Sequence, residues 1–458
     1  MSKTKVRIKV ASVRSGEPAD DHAVWVSSSL LRKWGVEPNQ SVNLRFGAFR
    51  SHVKVMPASK TQYVRVGSGL AASMGLSDGA QLRAAYRPST QTLVLGPLIG
   101  VIMSRASHEE PNRPFGDMTA FCRELVDAAK AEGAFVYFFP PSGIGSSHGT
   151  IQGWTYANGW RQGVFPVPDV LHNRLTSRKL ENLESVQKLF KDAKSRYGTQ
   201  VFNEKYLDKT EVFAALRQEA ALHRYLPESH AFTGYDTLKA MAAKYRILFL
   251  KPIRGSLGKG IIRLVRHETG GYAAQFSEPS GTRRAMYPSL AKAYAVVSQR
   301  MKRQKFLIQQ GLQLAAVDGR PIDFRALTQK GQTGEWGVTS VVGRIAGPNH
   351  FVSNLAKGGT IAPLKTAIAR SNLPAGRKAA AAAALRKAAV DIAKGVDKTI
   401  DAHFGELGVD LAVDQSGRVW LLEVNSKPSK NDNTQLTTGK IRPSVKTLIQ
   451  YARHLARL

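Results

Sequence analysis

The sequence predicts a mixed α/β chain, partly segregated as α+β, that begins with a small duplicated β-barrel. Three observations predict this. Residues 1–97 repeat themselves at a spacing of 40 positions. From residue 97 onward, short apolar strands alternate with amphipathic helices. Near the C-terminus, two strands joined by a turn carry three oxygen-bearing side chains where a buried strand ordinarily carries none.

At 458 residues the chain is long enough for about two to four domains, each with its own core. A 43% hydrophobic fraction fits a globular protein. No run of apolar residues reaches the ~18 needed to span a bilayer, so no membrane span is expected. The start, MSKTKVRIKV, has no apolar signal core, and the single cysteine, Cys122, excludes an internal disulfide. Together these give the expectation of a cytoplasmic protein, with Cys122 a small core residue of a helix. The charge is unusual: 66 basic against 34 acidic residues leave +32. Such a field attracts polyanions, whether nucleic acid, acidic polymer or acidic peptide. A generally basic proteome, or adaptation to acid, is the other reading. The basic residues are spread along the chain, so no single tail explains them.

In the repeat, Val24, Val26, Ser28, Leu30, Gly35, Val36 and Val42 fall on Val64, Val66, Ser68, Leu70, Gly75, Leu76 and Leu82. Phe46, Val53 and Val55 fall on Tyr86, Leu93 and Leu95. Each unit reads strand, short helix, glycine cap, then two strands. Two copies are too few for a solenoid, so they are expected to interleave into one barrel that folds by itself. The pattern resembles a double-psi barrel or the swapped-hairpin barrels of transition-state regulators. Nucleic-acid binding and a protein-contact or substrate-presenting role both stay open for it.

Beyond residue 97, GPLIGVIMS reads as a buried strand, MTAFCRELVDAAKAEG as a helix closed by Gly133, and AFVYFFP as a second strand. IQGWTY and GWRQGVFP form a hairpin, and PDVLHNR another strand. The glycine-rich PPSGIGSSHG lacks the strand-then-helix context of a phosphate loop and reads as a plain connection. Residues near 181–245 read as helical in three stretches, LENLESVQKLFKDAKSRYG, DKTEVFAALRQEAALHRYLPES and YDTLKAMAAKY, before the strand RILFLKP.

LKPIRGSLGKGIIRLV then places Lys251 at a strand end, followed by a loop holding Gly255, Ser256, Gly258, Lys259 and Gly260. Glycines let backbone N–H groups approach phosphate oxygens, and the two lysines add charge. A flexible hairpin with surface lysines is the other reading of these residues. FLIQQ is a strand ending in Gln309 and Gln310, where backbone groups can read an adenine edge. Asp323 and Arg325, two apart on one strand, face one way: an acid for ribose hydroxyls and a guanidinium for phosphate, or else a surface salt bridge. Arg344, Asn354 and the pair Gly358-Gly359 follow in a segment suited to an acyl or phosphoryl group. Residues 375–404 form the longest helix, a packing element. In GVDLAVDQSGRVWLLEVN, Glu423 and Asn425 share one face of a strand, and a hairpin brings Asp410 alongside. Two carboxylates and an amide oxygen make a hard-oxygen site suited to Mg2+ bound with phosphates, or else a strand with an edge-exposed acid and a turn. KPSKNDN is a polar loop carrying Lys427, and residues 443–457 close the chain with an amphipathic helix.

The order of these motifs resembles the ATP-grasp superfamily of carboxylate ligases. It is carried by Lys209 in DKTEVF, Lys251, the GSLGKG loop, Gln309-Gln310, Asp323 with Arg325, Arg344, Asn354 with Gly358-Gly359, and the trio Asp410, Glu423 and Asn425. Order and spacing together, rather than one motif, carry it over roughly residues 97–458. More narrowly the chain resembles the endospore-coat-associated ATP-grasp proteins of the YheC/YheD group. ATP-grasp hinges often carry Glu where this chain has Gln309. The resemblance implies an ATP-grasp fold with a small α/β pre-domain at 98–205, a lid subdomain at 206–310 and a larger, metal-holding subdomain at 311–458. It implies ATP and Mg2+ as cofactors, with Mn2+ an alternative ion.

It also implies chemistry. A substrate carboxylate attacks the γ-phosphate, and an amine then displaces phosphate from the acylphosphate to leave an amide. Asp410, Glu423 and Asn425 would hold the metal; Lys209, Lys251, Gly255, Ser256, Gly258, Lys259, Gly260, Gln309, Gln310 and Asp323 would bind the nucleotide. Arg325, Arg344, Asn354 and Lys259 would stabilise the reacting groups. The expected partners are a carboxylate substrate and an amine acceptor, an acidic peptide or polymer by the charge, with the forespore or spore coat as the associated structure. A second reading stays open: a basic nucleic-acid or spore-surface binding protein whose ATP-grasp region is structural or inactive.

Overall fold

The 40-residue repeat folds into a closed barrel of β1 (Thr4–Val10), β2 (Ala23–Ser27), β3 (Ser41–Phe46), β4 (Phe49–Ala58), β5 (Tyr63–Val66), β6 (Gln81–Arg87) and β7 (Thr92–Gly96). The computed structural model describes residues 4–10, 22–59, 63–145, 149–253, 260–278, 281–301, 304–348, 350–351, 358–430 and 440–458. Around the barrel the order is β1-β5-β2-β4-β3-β7-β6, closed by β6 against β1. The two halves meet at β2 and β5, which run antiparallel with Val24 opposite Val66 and Val26 opposite Val64. That register is a two-fold relation between repeat-equivalent residues. β3 pairs in parallel with β7 of the other half, so neither half closes alone. The repeated spacing of valines and leucines is the barrel's interior: Val24, Val26, Val64 and Val66 are all fully buried.

The helices α1 (Ser28–Trp34) and α2 (Ser68–Met74) end at Gly35 and Gly75, both left-handed, with φ of 64° and 66°. These equivalent glycines have different surroundings. A Cβ on Gly35 would meet nothing within 4 Å, whereas on Gly75 it would lie 2.5 Å from the Phe165 ring. Phe165 belongs to the next unit, whose core is continuous with that of the barrel. Gly75→Ala is therefore expected to cost roughly 2–4 kcal/mol, from left-handed strain plus overpacking. Gly35→Ala should cost only the strain, about 1–2 kcal/mol. Denaturant unfolding of both variants measures the difference; equal losses would show that the Phe165 contact contributes nothing.

The next sheet joins β8 (Leu98–Ile102), β9 (Phe135–Phe139), β10 (Thr150–Tyr156), β11 (Trp160–Pro166), β12 (Val170–Asn173) and β13 (Gln200–Phe202), in the order β11-β10-β9-β8-β12-β13. Its parallel centre is covered by α3 (Thr119–Glu132), which Gly133 ends in the left-handed region. Cys122 is fully buried on α3, and burial pushes its thiol pKa up, which makes it a core residue.

Two short strands stand between the helices of this region. Between α4 (Arg178–Glu181), α5 (Glu184–Tyr197), α6 (Lys209–Leu216) and α7 (Tyr235–Lys244) lie β13 and β14 (Ser229–Phe232). Both are edge strands of three and four residues. Their pairing with β12 and with a later strand, not local propensity, makes them strands.

The third sheet is antiparallel, in the order β14-β19-β15-β16-β17-β18, with β15 (Ile247–Pro252), β16 (Ile262–Arg266), β17 (Tyr272–Glu278), β18 (Gly281–Tyr287) and β19 (Phe306–Gln310). α7 and α8 (Leu290–Met301) pack on it. The fourth is β23-β22-β21-β24-β25, with β20 (Ala316–Val317) beside β21 (Arg320–Lys330). The others are β22 (Trp336–Ile345), β23 (Thr360–Pro363), β24 (Glu406–Val413) and β25 (Val419–Asn425). α9 (Leu364–Arg370) and α10 (Ala375–Thr399) cover one of its faces through Ala367, Leu385, Ala389 and Ile392. The chain closes with α11 (Pro443–Ala456), which packs on α3 through Val445, Leu448 and Ala452. No helix among the described residues is long and apolar enough to cross a membrane.

Candidate functional site

The face of the fourth sheet left bare by α9 and α10 looks toward the third sheet across a cavity of about 330 Å³. Strand register decides what that face presents. Asp410 on β24 stands directly opposite Glu423 on β25, and Gly408 opposite Asn425. A bulge after this pair inserts Leu422, so Leu422, Glu423 and Asn425 all line the cavity with Asp410. On the other side of β24, Arg325 of β21 is opposite Asp410, and Arg344 of β22 is opposite Asp323 of β21. The third sheet contributes Phe249, Lys251, Gln309 and Gln310, and α6 contributes Lys209.

Each acid of the cavity lies against a cation. Arg325 grips Asp410 with Nε on Oδ1 and with Nη2 on Oδ2 at 2.9 Å. Arg344 donates from Nη2 to the same Oδ2 at 3.0 Å and from Nε to Asp323 Oδ1 at 2.6 Å. Lys209 Nζ reaches Glu423 Oε1 at 3.1 Å. Burial alone would raise the Asp410 pKa, but Arg325 and then Arg344 outweigh it and hold the carboxyl below its ordinary value. The same attraction, with that of Asp323, lifts Arg344 above its ordinary value although burial opposes it. Asp323 and Arg325, neighbours on one strand face, each pair with a residue of an adjacent strand, Asp323 with Arg344 and Arg325 with Asp410.

Lys251 is different. Its ammonium donates to the neutral Gln309 Oε1 at 2.5 Å, while Gln309 Nε2 donates to Ser229 Oγ at 2.8 Å. Burial, then repulsion from Lys209, lowers the Lys251 pKa to about 8. Gln309 is thus spent on holding Lys251. Gln310 lines the cavity, and its Oε1 accepts from the Glu228 N–H at 3.2 Å. Gly260 has a left-handed φ of 71° and precedes the cavity-lining Ile261. Gly255, Ser256, Gly258, Lys259 and Asn354 lie outside the described residues.

Several lining residues had no signal of function in the sequence. Phe249, Leu312, Leu314 and Phe351 form apolar walls, and a strand or loop hydrophobe looks the same whether it meets a core or a ligand. Lys427 also lines the cavity. Its Nζ donates to the strand-end carbonyls of Asn173 at 2.9 Å and Asn203 at 2.6 Å, and lies 3.1 Å from Glu181 Oε2. Burial lowers its pKa to about 7 against the pull of Glu181. Its position two residues after Asn425 was the available clue.

The root of the acid-bearing hairpin is held from the second sheet. Asn203 accepts from the N–H groups of Gly405 and Glu406 at 3.1 and 3.2 Å, and donates to Glu406 O at 2.8 Å and to Ser426 O. The Glu406 side chain is completely buried among Lys430, Arg174 at 3.3 Å and Gln329 at 3.1 Å. Burial would raise its pKa, but Lys430 and its neighbours hold it well below the carboxylate range. His172, 3.6 Å away, is kept neutral by burial, with a pKa of about 4. Asn203 and the cations around Glu406 thus pin the start of β24 and the loop after β25 together at the root of the hairpin.

Two sheets facing each other across one cavity are the ATP-grasp arrangement. The chain belongs to the YheC/D-like ATP-grasp family, whose model matches residues 198–455. It is 31% identical over 346 residues to the endospore coat-associated protein YheD of Bacillus subtilis (strain 168), covering 74% of each chain. It is 22% identical over 319 residues to the endospore coat-associated protein YheC of the same strain, covering 68% of this chain and 85% of that one. Among solved structures it is similar to the ATP-grasp ligase PsnB complexed with minimal precursor, Mg and ADP. That match has 12% identity and a TM-score of 0.43, and covers 78% of this chain and 97% of PsnB.

Proposed function

We propose that this protein is an ATP-dependent carboxylate–amine ligase working through an acylphosphate. The observation that carries the reading is the convergence of Asp410, Glu423 and Asn425 on one cavity with Lys209, Lys251, Arg325 and Arg344. The trio fits a magnesium ion: two carboxylates and an amide oxygen lie on paired strands, and Asp410 is kept ionised by its arginines. A bound Mg2+, or Mn2+, would screen the phosphates and polarise the P–O bond that breaks.

The chain's own residues do the rest. Lys251, and Lys259 with the glycine loop, bind the phosphates. Gln310 and the Phe249, Leu312 and Phe351 walls take the base, and Asp323 takes the ribose. A substrate carboxylate oxygen forms a bond to the γ-phosphorus as its bond to the ADP oxygen breaks. Arg325 and Arg344, which lie against Asp410, stabilise the charge on the transferring group. Arg344 and Asn354 then hold the acylphosphate while an amine attacks its carbonyl carbon. Phosphate leaves, the nitrogen loses a proton, and an amide remains. The coat association named for YheD and YheC extends the reading to a substrate or anchoring partner within a spore coat.

The net charge of +32 points to an acidic peptide or polymer as the carboxylate substrate. ADP release screened over amino acids and acidic peptides, with mass spectrometry of the products, tests the ligase reading; no amide product from any pair would end it. For the productive pair, KM of the acidic substrate should rise several-fold between roughly 50 and 300 mM salt, because a diffuse field is screened over about 8 Å. KM for MgATP should change much less, since short contacts anchor it. Equal shifts would remove the acidic substrate and leave the ligase.

A further inference from the structure

A second cavity, of about 350 Å³, opens away from the cleft where the barrel, the second sheet and the end of α11 meet. Its charged lining is Arg45 from β3, Arg87 from the end of β6, Arg457 just past α11, and Asp169; His454 also lines it. Both oxygens of Asp169 are committed, Oδ1 to Arg45 Nη2 at 2.8 Å and Oδ2 to the Leu98 N–H at 2.9 Å. Among the described residues, neither Arg87 nor Arg457 forms an ion pair, and Arg45 Nε is a buried donor with no partner. Arg50 stands behind, donating from Nη1 to the carbonyls of Gly47 and Phe49 at 2.6 and 2.8 Å. Burial lowers the Arg87 pKa, and repulsion from Arg45 adds to this beyond what Asp169 restores. The carbonyl end of α11 offers little relief, because Arg457 N–H and Leu458 N–H cap His454 O and Arg453 O at 3.1 Å each.

We propose that this pocket binds a phosphate dianion, free or as a monoester. Three guanidinium groups against one carboxylate leave two positive charges in the lining. Phosphate carries about −1.5 to −2 at pH 7, whereas a carboxylate would leave one charge unbalanced. Planar guanidinium forks match phosphate oxygens in pairs. The cavity equals on the order of ten water volumes, room for the phosphate and part of an esterified group. A bound anion would tie the barrel, the second sheet and the C-terminus together. The inference is independent of the ligase reading.

The test is thermal unfolding of the full chain in chloride and in inorganic phosphate at matched ionic strength and pH 7.5. Phosphate should raise Tm by about 3–5 °C at ten times its Kd. Arg87→Gln and Arg457→Gln should each match or exceed the parent Tm in chloride, because repulsion is relieved, and should lose the phosphate rise. Lys251→Gln, which alters the cleft, should keep it. A half-maximal rise at lower concentration with O-phosphoserine than with inorganic phosphate assigns the pocket to a monoester; the reverse assigns it to the free anion. The proposal is overturned by no rise in the parent, by an undiminished rise in both arginine variants, by loss of the rise in Lys251→Gln, or by a lower Tm of Arg87→Gln in chloride.

Discussion

Glu423→Gln should lower ADP release at least about 100-fold, the upper end of what losing even an outer partner of a metal costs. Glu423 lies opposite Asp410 and beside Asn425 in the cleft, and its Oε1 is 3.1 Å from Lys209 Nζ. Glutamine keeps the volume and an oxygen for Lys209 but removes the charge that a hard cation requires. Stability should therefore change by only about 1 kcal/mol, the size of one hydrogen bond's adjustment. The measurement is ADP release with the productive substrate pair, alongside circular dichroism and a melting curve. Parent-like turnover would remove Glu423 from the metal site; lost turnover with a collapsed melting curve would make it a structural residue.

Glu406→Gln should show the opposite profile, a large loss of stability. Glu406 is completely buried and is the shared anion of Lys430, Arg174 and the neutral His172. Removing one member of such a cluster leaves buried cations unpaired and costs about 3–5 kcal/mol. For the cooperative unit that contains it, this is roughly 6–20 °C in Tm. The pH dependence has a definite sign. The folded pKa of Glu406 is depressed, so its contribution is present above the ordinary glutamate value of 4.5 and fades as pH falls below it. His172 adds a loss of the same sign as pH falls from its ordinary 6.5 to about 4, because the unfolded chain takes up the proton first. The parent should thus lose stability steadily below pH 6.5, and Glu406→Gln should lose less below pH 4.5 because its carboxylate share is already gone. Denaturant midpoints from pH 7 to 3.5 measure both slopes. Parallel curves would show that Glu406 does not titrate as described.

How much was legible depended on how local the signal was. The barrel could be read because its repeat places equivalent valines 40 residues apart, and a two-fold closure needs only that equivalence. Strand alternation placed Glu423 with Asn425, and a hairpin of ordinary length brought Asp410 across. β13 and β14 escaped because three or four residues show no period, and partners elsewhere in the chain made them strands. The alternative of a salt bridge between Asp323 and Arg325 gives way to cross-strand partners for a related reason. Neighbours on one face of a strand compete with residues directly opposite on the next strand, and the opposite residues win.

By itself the sequence determined the barrel, the alternation of sheets and helices, and which acids share a strand face, because each follows from a short-range period. Only the tertiary structure decided the electrostatics of the cleft. Arg325 meets Asp410 across 85 residues of chain, Lys209 meets Glu423 across 214, and Lys427 reaches back 254 to the Asn173 carbonyl. Those pairings are set by the register of strands and the docking of one sheet's ends on another. Charge partners follow from distance in space, and no periodicity along the chain encodes it.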